Sequence, residues 1–164
     1  MHYFLTASAI ATAFTFLVAA PEAVAQEYDS ISTCQSFGSA PSEPIGDREG
    51  HSLSVGQVSC HVDIGPLAGG IVTSSDIWEW DGQNATQLSN TTITRKPGAF
   101  AVAHESGVKF SLTMTEGKIT GWTSSGRMTY VWATGSASVL VGKSFTITAK
   151  PISTGQFTLE AKAD

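Results

Sequence analysis

The chain has 164 residues, a formal net charge of −5 at pH 7 and only 14% charged residues. Its Lys and Arg side chains are scattered along the sequence, and only Arg95 and Lys96 are adjacent. The sequence therefore lacks the basic patch that nucleic acids require, and it argues equally against an anionic membrane surface as a partner.

The N-terminal segment has the features of a secretory signal peptide. Residues 4–20 form an uncharged apolar run that is too short and too rich in Ala and Thr for a membrane span. Pro21 follows, and then an Ala-x-Ala cleavage site at 23–25. We therefore predict a signal peptide over 1–25 and a secreted, periplasmic mature chain that begins at Gln26 and has no membrane span. The alternative is an uncleaved apolar N-terminal anchor.

Residues 26–50 combine several Pro and Gly residues with Ser and acidic residues, so we predict an irregular N-terminal arm. The chain has two cysteines, Cys34 in this arm and Cys60 in the first long strand. A cysteine pair in an exported protein usually forms a disulfide, which here would tie the arm to the strand. A redox or metal role is less favoured because the sequence has no C-x-x-C motif.

The remaining residues, 51–164, are predicted to form one β domain. Apolar and polar residues alternate in short runs that are separated by Gly-bearing turns, and Asp81-Gly82 is a strong hairpin signal. A change of phase in the first run predicts a β-bulge at Gly56-Gln57. Eight or nine strands are predicted from the runs 51–64, 71–80, 85–95, 99–105, 108–116, 118–124, 127–134, 136–141, 143–150 and 156–162.

Short connections between so many strands imply antiparallel neighbours in a meander. We therefore predict an all-β fold in which the antiparallel meander closes into a barrel of about eight strands. Closure removes exposed strand edges, and a small barrel can either hold one small ligand or be filled by side chains. The alternative is a β-sandwich.

The segment 116–142 resembles uncharacterised secreted proteins of Gram-negative bacteria. Within it, the pattern Gly126-Arg127-Met128-Thr129-Tyr130 followed by Ala133-Thr134-Gly135-Ser136 resembles barrels of the allene oxide cyclase and dirigent type. The resemblance implies a β-barrel. It carries over no activity, because no functional residue of those families matches a position in this chain.

Aromatic residues are the main candidates for a binding site. Trp78 and Trp80 share one strand face, Trp122 lies on a later strand, and Tyr130 and Trp132 are predicted to share a face on the strand after it. If these side chains converge inside a barrel, they could wall a pocket for an apolar or planar ligand, with Ser and Thr hydroxyls fixing its orientation. The alternative is that they simply fill the core.

No catalytic, metal or cofactor site is predicted. The histidines His51, His61 and His104 form no zinc-binding pattern. His104 and Glu105 are the most tempting acid–base pair, but adjacent strand residues point to opposite faces.

The leading functional hypothesis is a periplasmic barrel that binds a small apolar or amphipathic ligand. The first alternative is a non-catalytic structural or interaction protein of the envelope, with a solid core. The second is an isomerase or cyclase, an expectation that rests on the family resemblance alone. The sequence makes no prediction about oligomeric state.

Overall fold

The computed structural model describes residues 28–37 and 42–164. The predicted signal peptide over 1–25 lies outside these residues. The described chain forms one short 3-10 helix (Ser138–Leu140) and nine strands: β1 (Ser30–Ser36), β2 (Glu43–Pro44), β3 (His51–Ile64), β4 (Ile71–Asp81), β5 (Asn84–Lys96), β6 (Ala99–Thr115), β7 (Lys118–Gly135), β8 (Ser144–Ser153) and β9 (Gln156–Ala163). Across the described ranges, no helix has the length and apolar character needed to cross a membrane.

The strands form a closed antiparallel barrel. From β3 to β9 each strand pairs with its neighbour in sequence, and β1 pairs with both β9 and β3. This double pairing closes the sheet into an eight-stranded barrel, to which the two-residue β2 adds a short extra pairing on β3. The predicted all-β meander and its closure into a barrel of about eight strands are confirmed, and the sandwich is not formed.

The barrel strands differ from the predicted runs in two ways. The segment 26–50 was predicted to be irregular, but Ser30–Ser36 is a full barrel strand, so the arm prediction was wrong there. In addition, several runs do not form separate strands. The runs 99–105 and 108–116 are one continuous strand, β6, the runs 118–124 and 127–134 are one strand, β7, and the run 136–141 contains the 3-10 helix.

One end of the barrel is closed by a hydrophobic plug. The loop between β3 and β4 contributes the buried Leu67, and the 3-10 helix between β7 and β8 contributes the buried Leu140. Beneath them, Tyr130 packs edge-to-face on Phe145 with ring centroids 5.5 Å apart. Burial raises the pKa of Tyr130 to about 12, so its hydroxyl stays neutral. This half of the barrel is therefore a conventional packed core.

The predicted disulfide is confirmed. Cys34 on β1 and Cys60 on β3 are directly paired across the two strands and are joined through their sulfurs. Both residues are buried in the core. The covalent bond therefore lies across the seam at which the barrel closes.

Bulges change which residues point into the barrel, and none of them lies at the predicted position. β3 pairs with β4 without interruption from His51 to His61, so the predicted bulge at Gly56-Gln57 is wrong. The three that affect the barrel interior lie at Leu88 on β5, at Gly107-Val108 on β6 and at Val131 on β7, and further register shifts occur near the ends of β1, β7 and β8. Each of the three adds an unpaired residue and reverses the parity of the strand beyond it.

Candidate functional site

The half of the barrel opposite the plug contains a cavity of about 290 Å³. Residues from all eight barrel strands line it, and the cavity is partly open to solvent at the end where β4 turns into β5. Small ligands bind in cavities that are largely apolar and carry a few directed polar groups. This cavity has both features, on separate walls.

The apolar wall is a cluster of aromatic rings centred on Phe110. Phe110 stacks on Trp122 with ring centroids 5.1 Å apart, and it meets Trp80 edge-on at 5.4 Å and Trp78 at 6.2 Å. Phe157 meets Trp122 edge-on, with ring centroids 5.4 Å apart. The Trp80 indole N–H donates to Ser54 Oγ at 2.8 Å, which fixes the plane of that ring. The cluster thus presents rigid ring faces and edges to the cavity.

The structure brings together three of the five aromatic residues predicted for the site. Trp78, Trp80 and Trp122 line the cavity. Tyr130 is instead part of the plug at the other end.

Trp132 does not share a face with Tyr130, so that prediction was wrong. The bulge at Val131 turns Trp132 to the outside of the barrel, where it is 51% exposed and packs on Phe100.

Sequence reasoning missed Phe110 and Phe157. Both lie on the apolar parity of the predicted runs 108–116 and 156–162, so the alternation itself would have placed them inside the barrel.

The polar wall is a network of side chains from β4, β5 and β6. Ser74 Oγ donates to Asp76 Oδ1 at 2.7 Å, and the Asn90 amide donates to Ser74 Oγ at 2.7 Å and to Asp76. Asp76 is only 6% exposed. These contacts fix the carboxyl of Asp76 below the aromatic wall.

The same network continues to a second carboxyl, that of Glu105. The Gln87 amide donates to Glu105 Oε2 at 3.0 Å. Thr92 Oγ1 lies 3.3 Å from Glu105 Oε1 and 3.1 Å from Asn90 Oδ1, so it links the two carboxyl groups through neutral side chains. His104 lies exposed on the outer face, so the predicted separation of His104 from Glu105 is confirmed.

Burial raises the pKa of both carboxyls. Burial raises the pKa of Glu105 to about 6, aided by the negative charge of Asp76 and opposed by the hydrogen bonds from Gln87 and Thr92. Burial also raises the pKa of Asp76, opposed by hydrogen bonds from Ser74, Asn90 and Trp78. Paired carboxyls with raised pKa values in a cleft are typical of functional sites.

The polar wall coincides with an interruption in the sheet. The pairing of β5 with β6 stops after Thr86↔Lys109 and resumes at Thr92↔Ala103. Across this gap the contacts of Gln87 and Thr92 with Glu105 replace backbone pairing. Bulges next to binding sites commonly re-aim side chains in this way.

A separate ionic cluster lies beside the open end of the barrel. His51 Nδ1 lies 2.5 Å from Asp47 Oδ1, and His51 Nε2 lies 2.8 Å from Glu79 Oε1. Arg48 contacts both Asp47 and Asp81, at 2.8 Å and 3.0 Å. Hydrogen bonds to the carboxylates of Glu79 and Asp47 raise the pKa of His51, which favours the protonated imidazole. The cluster ties the segment before β3 to the end of β4.

We expect His51→Gln to destabilise the protein in a pH-dependent way. Because the pKa of His51 is raised on folding, its stabilising contribution is fully present below the unfolded value of 6.5 and is lost as pH rises through the folded value. The melting temperature of His51→Gln should therefore fall below that of the wild type by a few degrees at about pH 5.5, and by less at about pH 9. Thermal melts at the two pH values measure the difference. The exposed His104→Gln is the control, and equal losses at both pH values would contradict the assignment.

Among the residues that the structure describes, no group of three or more His, Cys, Asp or Glu side chains is arranged to hold a metal ion. No protein family, curated protein or solved structure matches the chain. The site must therefore be interpreted from its own geometry.

Proposed function

We propose that this protein is a secreted, periplasmic barrel that binds a small apolar or amphipathic ligand in its cavity. The observation that carries the proposal is the cavity of about 290 Å³ between the Phe110 aromatic cluster and the hydrogen-bonded polar wall. Rigid aromatic side chains contribute a large apolar contact at little entropic cost, and the polar wall supplies orientation.

The alternatives have less support. An envelope docking protein was expected to have a solid core, whereas half of this barrel is hollow. An isomerase or cyclase also needs a cavity, so the cavity does not favour an enzyme over a binding protein. The enzyme hypothesis therefore stays a prediction.

Binding can be tested with N-phenyl-1-naphthylamine, an uncharged planar probe, added to protein recovered from the periplasm without detergent. We expect saturable binding with energy transfer from the tryptophans. Native mass spectrometry of the same sample should show any molecule carried from the cell. If neither this probe nor a broad lipid and aromatic panel binds, the proposal is wrong.

Two neighbouring residues on β7 provide a matched pair of variants. Ser124 faces the cavity, whereas Thr123 is exposed on the outside of the barrel. We expect Ser124→Trp to fill the cavity and weaken probe binding at least tenfold, which is about 1.4 kcal/mol of binding free energy. Thr123→Trp should bind the probe as the wild type does. Equal effects of the two variants would place the probe outside the barrel.

A further inference from the structure

The charges in the cavity are all of one sign. Among the described residues that line it, the titratable side chains are Asp76 and Glu105, and none is Lys, Arg or His. None of the ion pairs between described residues includes either carboxyl. The hydrogen bonds of Asp76 and Glu105 come from neutral Ser, Asn, Trp, Gln and Thr side chains. Their polar atoms are thus satisfied, while their charge is not neutralised.

A buried carboxylate without a counter-charge is costly, and a protein usually retains one only where a partner or a function compensates the cost. Here the compensation can come from a ligand, because the two carboxyls face an unfilled volume rather than packed side chains. The adjoining aromatic wall adds a second preference. Trp78, Trp80 and Phe110 present π systems, which attract cations.

On these grounds we propose that the ligand is an organic cation, with an apolar body against the aromatic cluster and a protonated amine against Asp76 and Glu105. This inference rests on the proposed function and specifies the chemistry of its ligand. An ammonium group would replace the missing counter-charge and donate hydrogen bonds to the carboxylates. An anionic ligand is disfavoured by the same two side chains.

Binding should also depend on pH. The titratable group that faces Glu105 is Asp76 on β4, while β5 presents the neutral Gln87 and Thr92 and β7 places Met128 opposite. Since the pKa of Glu105 is raised to about 6, this carboxyl loses its charge in mildly acidic solution. A cation should then bind less tightly, whereas a neutral ligand should be unaffected.

Three probes that share one ring system separate charge from shape: 2-naphthylmethylammonium, 2-naphthylmethanol and 2-naphthoate. We expect calorimetric titration near pH 8 to show that the ammonium binds at least tenfold more tightly than the alcohol, and the alcohol more tightly than the carboxylate. Lowering the pH to about 4.5 should reduce the affinity for the ammonium at least tenfold and leave the affinity for the alcohol unchanged.

The matched variants are Glu105→Gln and Glu160→Gln. Both remove one negative charge, but Glu160 lies on the outward parity of β9, between the inward-facing Leu159 and Ala161. Glu105→Gln should lower the affinity for the ammonium about tenfold or more, retain the affinity for the alcohol and abolish most of the pH dependence. Glu160→Gln should bind all three probes as the wild type does.

The outcomes distinguish this inference from the proposed function. If the alcohol binds as tightly as the ammonium, or the carboxylate binds most tightly, the cation assignment is overturned and the binding function stands. If Glu105→Gln leaves ammonium binding unchanged, the assignment of Glu105 is overturned. If none of the three compounds binds and N-phenyl-1-naphthylamine also fails, the proposed function itself is wrong.

Discussion

Replacing both Cys34 and Cys60 by alanine is expected to lower the free energy of unfolding by about 3.5 kcal/mol. The bond links residues with a sequence separation of 26, and the chain-entropy model gives this value for a loop of that length. For a chain of this size the melting temperature should fall by roughly 10 °C. Thermal and urea unfolding of the double variant measure the loss.

The position of the disulfide also determines which part of the barrel should open first. Among the described residues, β1 is held by its backbone pairing with β3 and β9, by a hydrogen bond from Thr33 to Asp63 and by this one covalent bond. The β1–β3 seam should therefore be where the variant opens first, with faster amide exchange on β1 than on β5 or β6. Wild-type protein reduced under unfolding conditions is the control, because it loses the bond and keeps the side chains. A double variant that melts like the oxidised wild type would show that the bond contributes nothing to stability.

Alternation of apolar and polar residues predicted most strands and the closed barrel, because the period of a half-buried strand depends on local sequence. It did not predict β1. The sequence of this strand, Ser-Ile-Ser-Thr-Cys-Gln-Ser, contains one large apolar residue, and that residue, Ile31, faces outward. What makes this segment a strand is its pairing with β9 and β3 on both sides, which are distant in sequence. Such long-range pairing leaves little local signal.

The candidate site was predicted only in part, because bulges decide which residues face inward. Nothing in the sequence around Leu88 or Val131 marks a bulge, yet the second of these moves Trp132 out of the barrel. The inward orientation of Glu105 was equally hard to predict. It continues the parity of Ala99, Ala101 and Ala103, and these small residues, rather than Phe100 and Val102, face the core. Bulkiness alone would have assigned the opposite face.

The bulge beside Glu105 depends on a glycine in the neighbouring strand. Ser106 pairs with Arg127 and Lys109 pairs with Ser125, so Gly107 and Val108 together lie opposite Gly126. Gly107 takes a φ of 61°, a left-handed conformation that glycine adopts without strain. The extra residue lets Glu105 and Val108 both point inward, although their separation in sequence is three. Gly126 provides the space into which Val108 then packs.

Gly126→Val should therefore destabilise the barrel by about 3 kcal/mol or more, at the upper end of the range for overpacked cores. A Cβ at Gly126 would lie 2.6 Å from Val108 Cγ2 and 2.7 Å from Val108 Cα. Because the second of these contacts is with the backbone, rotation or truncation of the Val108 side chain cannot relieve it. In urea unfolding, Gly126→Val should therefore lower the free energy of unfolding by the same amount in a Val108→Ala background as in the wild type.

Gly121→Val on the same strand is the matched control. A Cβ at Gly121 would meet nothing closer than Thr113 Cβ at 3.9 Å, and valine favours a strand more than glycine does. Its stability should equal or slightly exceed that of the wild type. If Gly126→Val were as stable as this control, the close packing of Val108 on Gly126 would be wrong. The inward position of Glu105, and with it the negative wall of the cavity, would then lose its structural basis, because the same bulge sets both.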